Sequence, residues 1–227
     1  MNNFVEIPAS IRSLARRKTV CGVGINDSNY VVAPRINGKI VFCPFYKVWS
    51  SMLGRAYSEK LHSRNPRYRD CSVAKEWHTF SVFRAWMETQ DWEGKQLDKD
   101  ILISGNKIYG PDTCIFVSGV INKLLCDRAG ARGLYPQGVT FSAVRGLFQS
   151  SCSLKGRTVH IGFYNSVYQA ELSYLIFKSD MIKRIACEPE AVSNANLQSS
   201  LIRHSKEFKR MANKLFTDNK LNDNVQS

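Results

Sequence analysis

Leu97-Asp98-Lys99-Asp100, continuing through Gly105-Asn106-Lys107-Ile108-Tyr109-Gly110-Pro111-Asp112-Thr113-Cys114-Ile115-Phe116-Val117 to Ile121-Asn122, is the stretch from which the chain is best read. The apolar residue before Asp98 predicts a short strand ending at that carboxylate. Gly105 and Gly110-Pro111 are turn signals, Cys114 to Val117 reads as a returning strand, and a helix is expected after it. Two strands and a helix make a small frame for one metal ion. With Asp98 on the first strand and Asn122 in the helix, a carboxylate and an amide oxygen are expected to meet on a hard cation such as Mg²⁺. The same residues also read as a surface β-hairpin, with Asp98, Lys99 and Asp100 as solvated charges and Asn122 as a helix-surface amide.

Leu97-Asp98-Lys99, the Tyr109-Gly110-Pro111-Asp112-Thr113-Cys114 turn and Asn122 resemble the core of HNH endonucleases of the phage and mobile-element type. The resemblance implies a ββα-metal fold, with Asp98 and Asn122 as ligands of Mg²⁺ or Mn²⁺. It puts Thr113 where that family has a loop-bracing Asn, and Lys99 where it has the general-base His. A Lys is protonated near neutral pH and accepts no proton. The base is therefore expected from a Lys99 of depressed pKa, from Asp100 or from a metal-bound water, unless the site no longer cuts. Upstream, Trp49-x-x-Met52-x-x-Arg55-x-Tyr57, Pro66-x-Tyr68 and Trp77-x-x-Phe80-x-x-Phe83-x-x-Trp86 are similar to the segment that precedes this core in the same proteins. The likeness thus covers about residues 20 to 125.

Charge points to the same partner. The 227 residues carry 32 Lys and Arg against 19 Asp and Glu, a net +13, while 44% hydrophobic residues suffice for folded cores. A globular chain so basic is expected to meet a polyanion, with duplex DNA as the default. No run of about 18 apolar residues suggests a membrane span, so a membrane role is not expected. Seven cysteines without any Cys-x-x-Cys pair read as reduced, mostly buried thiols of a cytoplasmic protein. The resemblance implies a phage protein acting in the host cell.

Along the first half, Arg12, Arg16, Arg17 and Lys18 form a short basic arm. Cys21 to Asp27 reads as a strand running into a turn, and Tyr30 to Val32 and Lys39 to Phe42 as further strands, with Asn37-Gly38 as a hairpin turn. Gly22 and Gly24 are a weak phosphate-loop signal, since no third glycine or helix follows. Phe45, Trp49, Met52, Leu53 and Ala56 recur at helical spacing after Pro44. Val73, Trp77, Phe80, Phe83 and Met87 do so within an expected helix from Ser72 to Gln90. Between them lies a basic loop: from Arg35 to Arg69 there are eight Lys or Arg and one acid, Glu59. Arg55, Arg64, Arg67 and Arg69, interleaved with Tyr57 and Tyr68, are the candidate phosphate contacts there.

In the second half, Val139 to Phe141, Leu147 to Ser153 and Thr158 to Phe163 read as three strands, and Ser166 to Cys187 as a helix that covers one sheet face. Gly138-Val-Thr-Phe141, His160-Ile-Gly-Phe163 and Ala170-x-x-x-Tyr174-x-x-x-Lys178 are similar to the plant ethylene-response-factor type of DNA-binding domain, which phage HNH proteins often carry. That resemblance implies that the uncovered sheet face enters the major groove. Arg132, Arg145, Gln149, Lys155, Arg157 and His160 are the candidate contacts. A basic helix is expected from Asn194 to Phe216 and a disordered tail after it.

The expectation is therefore an α+β protein with an HNH-like module over 1–130, a three-stranded antiparallel sheet plus helix over 131–190, a basic helix over 191–217 and a tail over 218–227. Its expected function is cleavage or nicking of double-stranded DNA in the homing manner. An ion on Asp98 and Asn122 would polarise the scissile phosphate while a water activated near Lys99 and Asp100 attacks. The rival is a DNA-binding protein with an inactive HNH fold, acting as a regulator, a packaging accessory or an inhibitor of a host enzyme.

Overall fold

The computed structural model describes residues 4–126 and 133–225, with side chains through 219. The protein is mixed α+β and divides into two compact units, Met1–Phe116 and Val117–Ser227. The sequence-based boundary at 130/131 lies outside the described residues.

The first unit begins with α1 (Ile11–Ala15), capped by Ser10, whose side chain accepts from the Ser13 amide. Arg17 then leaves the expected basic arm for a structural task. Its guanidinium donates to the carbonyls of Asn26 (2.9 Å), Ser28 and Tyr30 (2.8 Å), pinning the loop that carries them. β1 (Arg35–Ile36) and β2 (Lys39–Ile40) pair across Asn37-Gly38, both at positive φ (50° and 76°), as the hairpin dipeptide requires.

α2 (Pro44–Tyr57) starts on its proline and buries Trp49, Met52, Leu53 and Ala56. α3 (Glu59–Arg64) follows, capped by Ser58. The single helix expected from Ser72 to Gln90 is instead β3 (Ser72–Val73), a 3₁₀ turn (Lys75–His78) and α4 (Phe80–Glu88). Thr79 breaks it: held extended at φ −93°, it lies beside Ile25, whose amide donates to the His78 carbonyl (2.8 Å) and whose carbonyl accepts from the Phe80 amide (3.0 Å). The apolar positions reach one core all the same, with Val73, Trp77, Phe80, Phe83 and Met87 all buried. Trp49 Nε1 donates to the Trp77 carbonyl at 2.7 Å, so the two largest core side chains also satisfy a polar atom. Where a strand running into a turn is expected, Cys21 to Val23 form the turn first, and Gly24 and Ile25 follow as isolated bridges to Val20 and Thr79. Gly24 packs there so closely that a Cβ would lie 2.3 Å from Leu53 Cδ1 and 2.9 Å from Trp49 Cη2. That glycine serves packing, not a phosphate.

The stretch first quoted gives β4 (Gln96–Asp98), β5 (Ile108–Tyr109) and β6 (Ile115–Val117). β4 pairs with β6, and β5 pairs in parallel with β3. The helix after them, α5 (Gly119–Leu125), is capped by Ser118, falls in the second unit and packs on its middle strand. The strands and helix expected to close as one ββα module are thus divided between the two units.

In the second unit β7 (Val139–Ser142), β8 (Leu147–Leu154) and β9 (Arg157–Tyr164) form an antiparallel sheet in that order. The turn Lys155-Gly156 joins β8 to β9 with both residues at positive φ. α6 (Val167–Ile185), capped by Ser166, covers one sheet face, as the sequence predicts. After α7 (Pro189–Val192), α8 (Ala195–Val225) packs along α6, running as far as Val225 through the stretch expected to be a disordered tail. Ser179 and Ser205 tie the two helices, each hydroxyl donating to the other's carbonyl at 2.9 Å. Cys152, Tyr174, Leu175 and Ala212 are the buried centre, with Phe208 and Ile161 against them.

Candidate nucleic-acid interface and the Asp98 loop

Pairing fixes which side chains share the open face of the second unit's sheet. Cys152 lies buried with α6 residues, so its alternates on β8, Phe148 and Ser150, face the same way. The opposite face of β8 then carries Leu147, Gln149, Ser151 and Ser153. Their partners are Ser142 and Thr140 on β7 and Phe163, His160 and Thr158 on β9. The register slips between Ser150 and Ser151, where Ile161 is the extra residue of a bulge. His160 and Phe163 thereby come together, with ring centroids 4.6 Å apart. Arg145, from the β7–β8 turn, lays its guanidinium over the other partner, 4.5 Å from the Phe163 centroid. The result is a Arg145–Phe163–His160 stack beside the amide of Gln149, set among small hydroxyls.

The sequence candidates divide accordingly. Arg145, Gln149 and His160 gather on that face. Arg157 is paired with Leu154, on the side of Cys152 and α6, and Lys155 makes an ion pair with Glu188 at 3.0 Å. Arg132 lies outside the described residues. Phe163, the ring that holds the stack together, was missed as a contact. The alternation His160-Ile161-Gly162-Phe163 puts it on the face opposite His160 unless a bulge intervenes, and no residue in that run announces one.

In the first unit, Arg64, Arg67 and Arg69 are exposed on and after α3, and Arg67 stacks on Tyr68 (4.9 Å) while donating to its hydroxyl (3.1 Å). Tyr57 is committed elsewhere: its hydroxyl accepts from the Val73 amide at 3.0 Å and meets His78 Nε2 at 3.2 Å. Arg55 points inward. Its guanidinium lies 5.1 Å from the ring of buried Tyr109, and its Nε is buried without a hydrogen-bond partner.

Tyr109 also forms a wall of the Asp98 loop. Asp98 Oδ1 accepts from the amides of Asp100 (2.9 Å) and Ile101 (3.0 Å), so the carboxylate closes its own turn. Lys99 is nearly buried, its side chain 9% exposed, with Nζ 3.1 Å from Asp100 Oδ2 and 5.8 Å from the Tyr109 centroid. Asn106 braces this loop, donating to the carbonyls of Lys99 and Ile108, both at 2.7 Å, and accepting the Ile108 amide. Thr113 ties the same place, donating to Ile108 (2.7 Å). The resemblance implies a brace at Thr113, and nothing in the sequence singles out Asn106 for it.

Electrostatics follow from this geometry. Burial, with the neighbouring Asp100 carboxylate, pushes Asp98 up to about 6. Burial acts to raise Asp100 as well, yet the hydrogen bond from Asp98 and the Lys99 ammonium together hold it below the ordinary carboxylate range. Below about pH 6 the pair holds one proton and one negative charge, which the Lys99 ammonium faces from inside; above it both carboxylates are ionised. Burial pushes the Cys114 thiol up to about 12 and raises Cys71, so neither is a nucleophile near neutral pH.

Of these donors, one Asp98 oxygen is taken by two amides and Asp100 faces an ammonium. Among the described residues no group of three or more His, Cys, Asp or Glu is arranged to hold a metal. Nor is any described helix long and apolar enough to cross a membrane. Comparison with family models, with curated proteins and with solved structures finds no match for the chain.

Proposed function

We propose that the protein is a duplex-DNA-binding protein that reads DNA with the open face of its three-stranded sheet, and that its Asp98 loop is an HNH-like scaffold without a working metal site. The Arg145–Phe163–His160 stack with Gln149 alongside carries this reading. It gathers a bidentate cation, an amide able to pair with adenine, an imidazole and an apolar ring on one face that otherwise carries Leu147 and the hydroxyls of Ser and Thr residues. The net charge of +13 supplies the phosphate attraction that such a face needs. For the first unit, the buried Lys99 ammonium supports a scaffold that neutralises its own carboxylates, where the resemblance implies a base and a metal.

The test pairs binding with cleavage. Selection from random duplexes should yield a preferred site, and the Arg145→Ala, Gln149→Ala, His160→Ala triple variant should lose that preference. Supercoiled plasmid carrying the selected site should stay intact with Mg²⁺ or Mn²⁺. Nicking by the natural protein that disappears in Asp98→Ala would return the homing-endonuclease reading to first place.

A further inference from the structure

Between α6 and α8 lies a recess of about 420 Å³, within the range of small-ligand sites. Its walls come from two helical stripes, Ser179, Asp180 and Lys183 on α6 and Ile202, Ser205, Lys206 and Lys209 on α8, with Ala186 at the α6 C-cap and Gln198 and Cys187 at that end. Spacings of three and four residues bring each stripe to one side of its helix. From Gln198 to Lys209 the recess follows α8 for roughly 16 Å at 1.5 Å per residue.

The floor offers little to a hydrated ion. Ser179 and Ser205 are buried and bonded to one another's backbone, Gln198 Nε2 donates to the Ala186 carbonyl at 3.0 Å, and Ala186 is buried. Ile202, 40% exposed, turns its aliphatic side chain to the opening. The rim is different. Lys183, Lys206 and Lys209 are exposed, and among the described residues none has an ion-pair partner; Asp180 is the one carboxylate among the lining residues and is likewise unpaired. Three ammoniums against one carboxylate around an apolar, internally satisfied floor is a pattern that neither folding nor the sheet face explains. Duplex DNA has no aliphatic or aromatic body small enough to enter such a recess, and a bare phosphate would leave the floor uncovered.

We propose that the α6–α8 recess binds a small amphipathic organic anion, whose apolar body covers Ala186 and Ile202 and whose carboxylate, sulfonate or phosphate monoester meets Lys183, Lys206 and Lys209. The proposal is independent of the DNA-binding reading, since none of the recess residues belongs to the sheet.

The experiment uses the full chain and two probes with the same fused-ring body, anionic 8-anilinonaphthalene-1-sulfonate and neutral N-phenyl-1-naphthylamine, followed by fluorescence. The sulfonate should saturate at one per chain. Lys206→Glu with Lys209→Glu should weaken it by about tenfold or more, as loss of charge-assisted contacts implies, and leave the neutral probe unchanged. Both lysines are exposed and unpaired, so the double variant should melt with the natural protein. A site-specific readout accompanies it: the sulfonate should slow iodoacetamide alkylation of Cys187, at the end of the recess, and not of Cys21, which is also exposed. Failure to saturate, equal affinity in the double variant, unprotected Cys187, or displacement of the probe by duplex DNA would each overturn the proposal.

Discussion

Asp98 shows what a single side chain contributes. Its folded value of about 6 stands above the ordinary 3.8, so the fold prefers the protonated form. The stabilisation is fully present below the unfolded value and is lost as pH rises through about 6. Asp98→Asn, neutral at every pH and still able to accept from the Asp100 and Ile101 amides, should therefore gain on the natural protein between pH 4 and pH 7. Thermal melts of the two at unit pH steps test this, and a constant difference in Tm would show that Asp98 titrates normally in the fold. Ser150 and Gly138 give simpler outcomes. Ser150 is fully buried on the covered face, and its hydroxyl has no partner. Ser150→Ala should stabilise by about 1 kcal/mol in urea melts, because an unsatisfied buried hydroxyl costs that order. Gly138 sits at φ +79° with the Tyr174 ring 2.1 Å from where a Cβ would be. Gly138→Ala should cost roughly 2 kcal/mol or more, through strain and overpacking together.

For the elements, pairing register matters more than residue type. The bulge in β9 decides that His160 and Phe163 share a face, and that face is the one α6 leaves open. Phe163 is the residue the bulge brings to that face, and Phe163→Ala should keep the helices, by far-ultraviolet circular dichroism, and lose sequence preference on DNA. Retained preference would show that the Arg145–Phe163–His160 stack is not the reading surface. The break before α4 teaches a related lesson. Five apolar residues at helical spacing were enough to predict burial for all five, but a backbone pairing at Thr79 set by the distant Ile25 turned the first part into strand and 3₁₀ turn.

At the scale of the molecule, charge and unit structure set the expectations. The second unit carries fifteen Lys or Arg against eight Asp or Glu, a balance of +7, and owns both the open sheet face and a core of its own. Residues 117–227 expressed alone should fold and bind duplex DNA, and log affinity should fall with log salt at a slope of several units. A flat salt dependence would redirect the search to a protein partner. The first unit alone should hold its fold through the Trp49, Trp77, Phe80 and Phe83 core and bind DNA more weakly, since Arg17 and Arg55 are spent inside it.

By itself the sequence determined what depends on neighbours along the chain. The Asn37-Gly38 hairpin, the proline-started helix at Pro44, the three strands and the helix of the second unit follow from local dihedral preference and apolar period, and so were legible. Gln149 and His160, candidates through the resemblance to the ethylene-response-factor type, share one face by pairing register. What only tertiary structure decided depends on segments distant in sequence. Ile25 cuts the expected helix at Thr79, and a bulge moves Phe163 to the face of His160. Tyr109 roofs Lys99, so that a residue read as a solvated charge or a stand-in base is a buried counter-ion to Asp100.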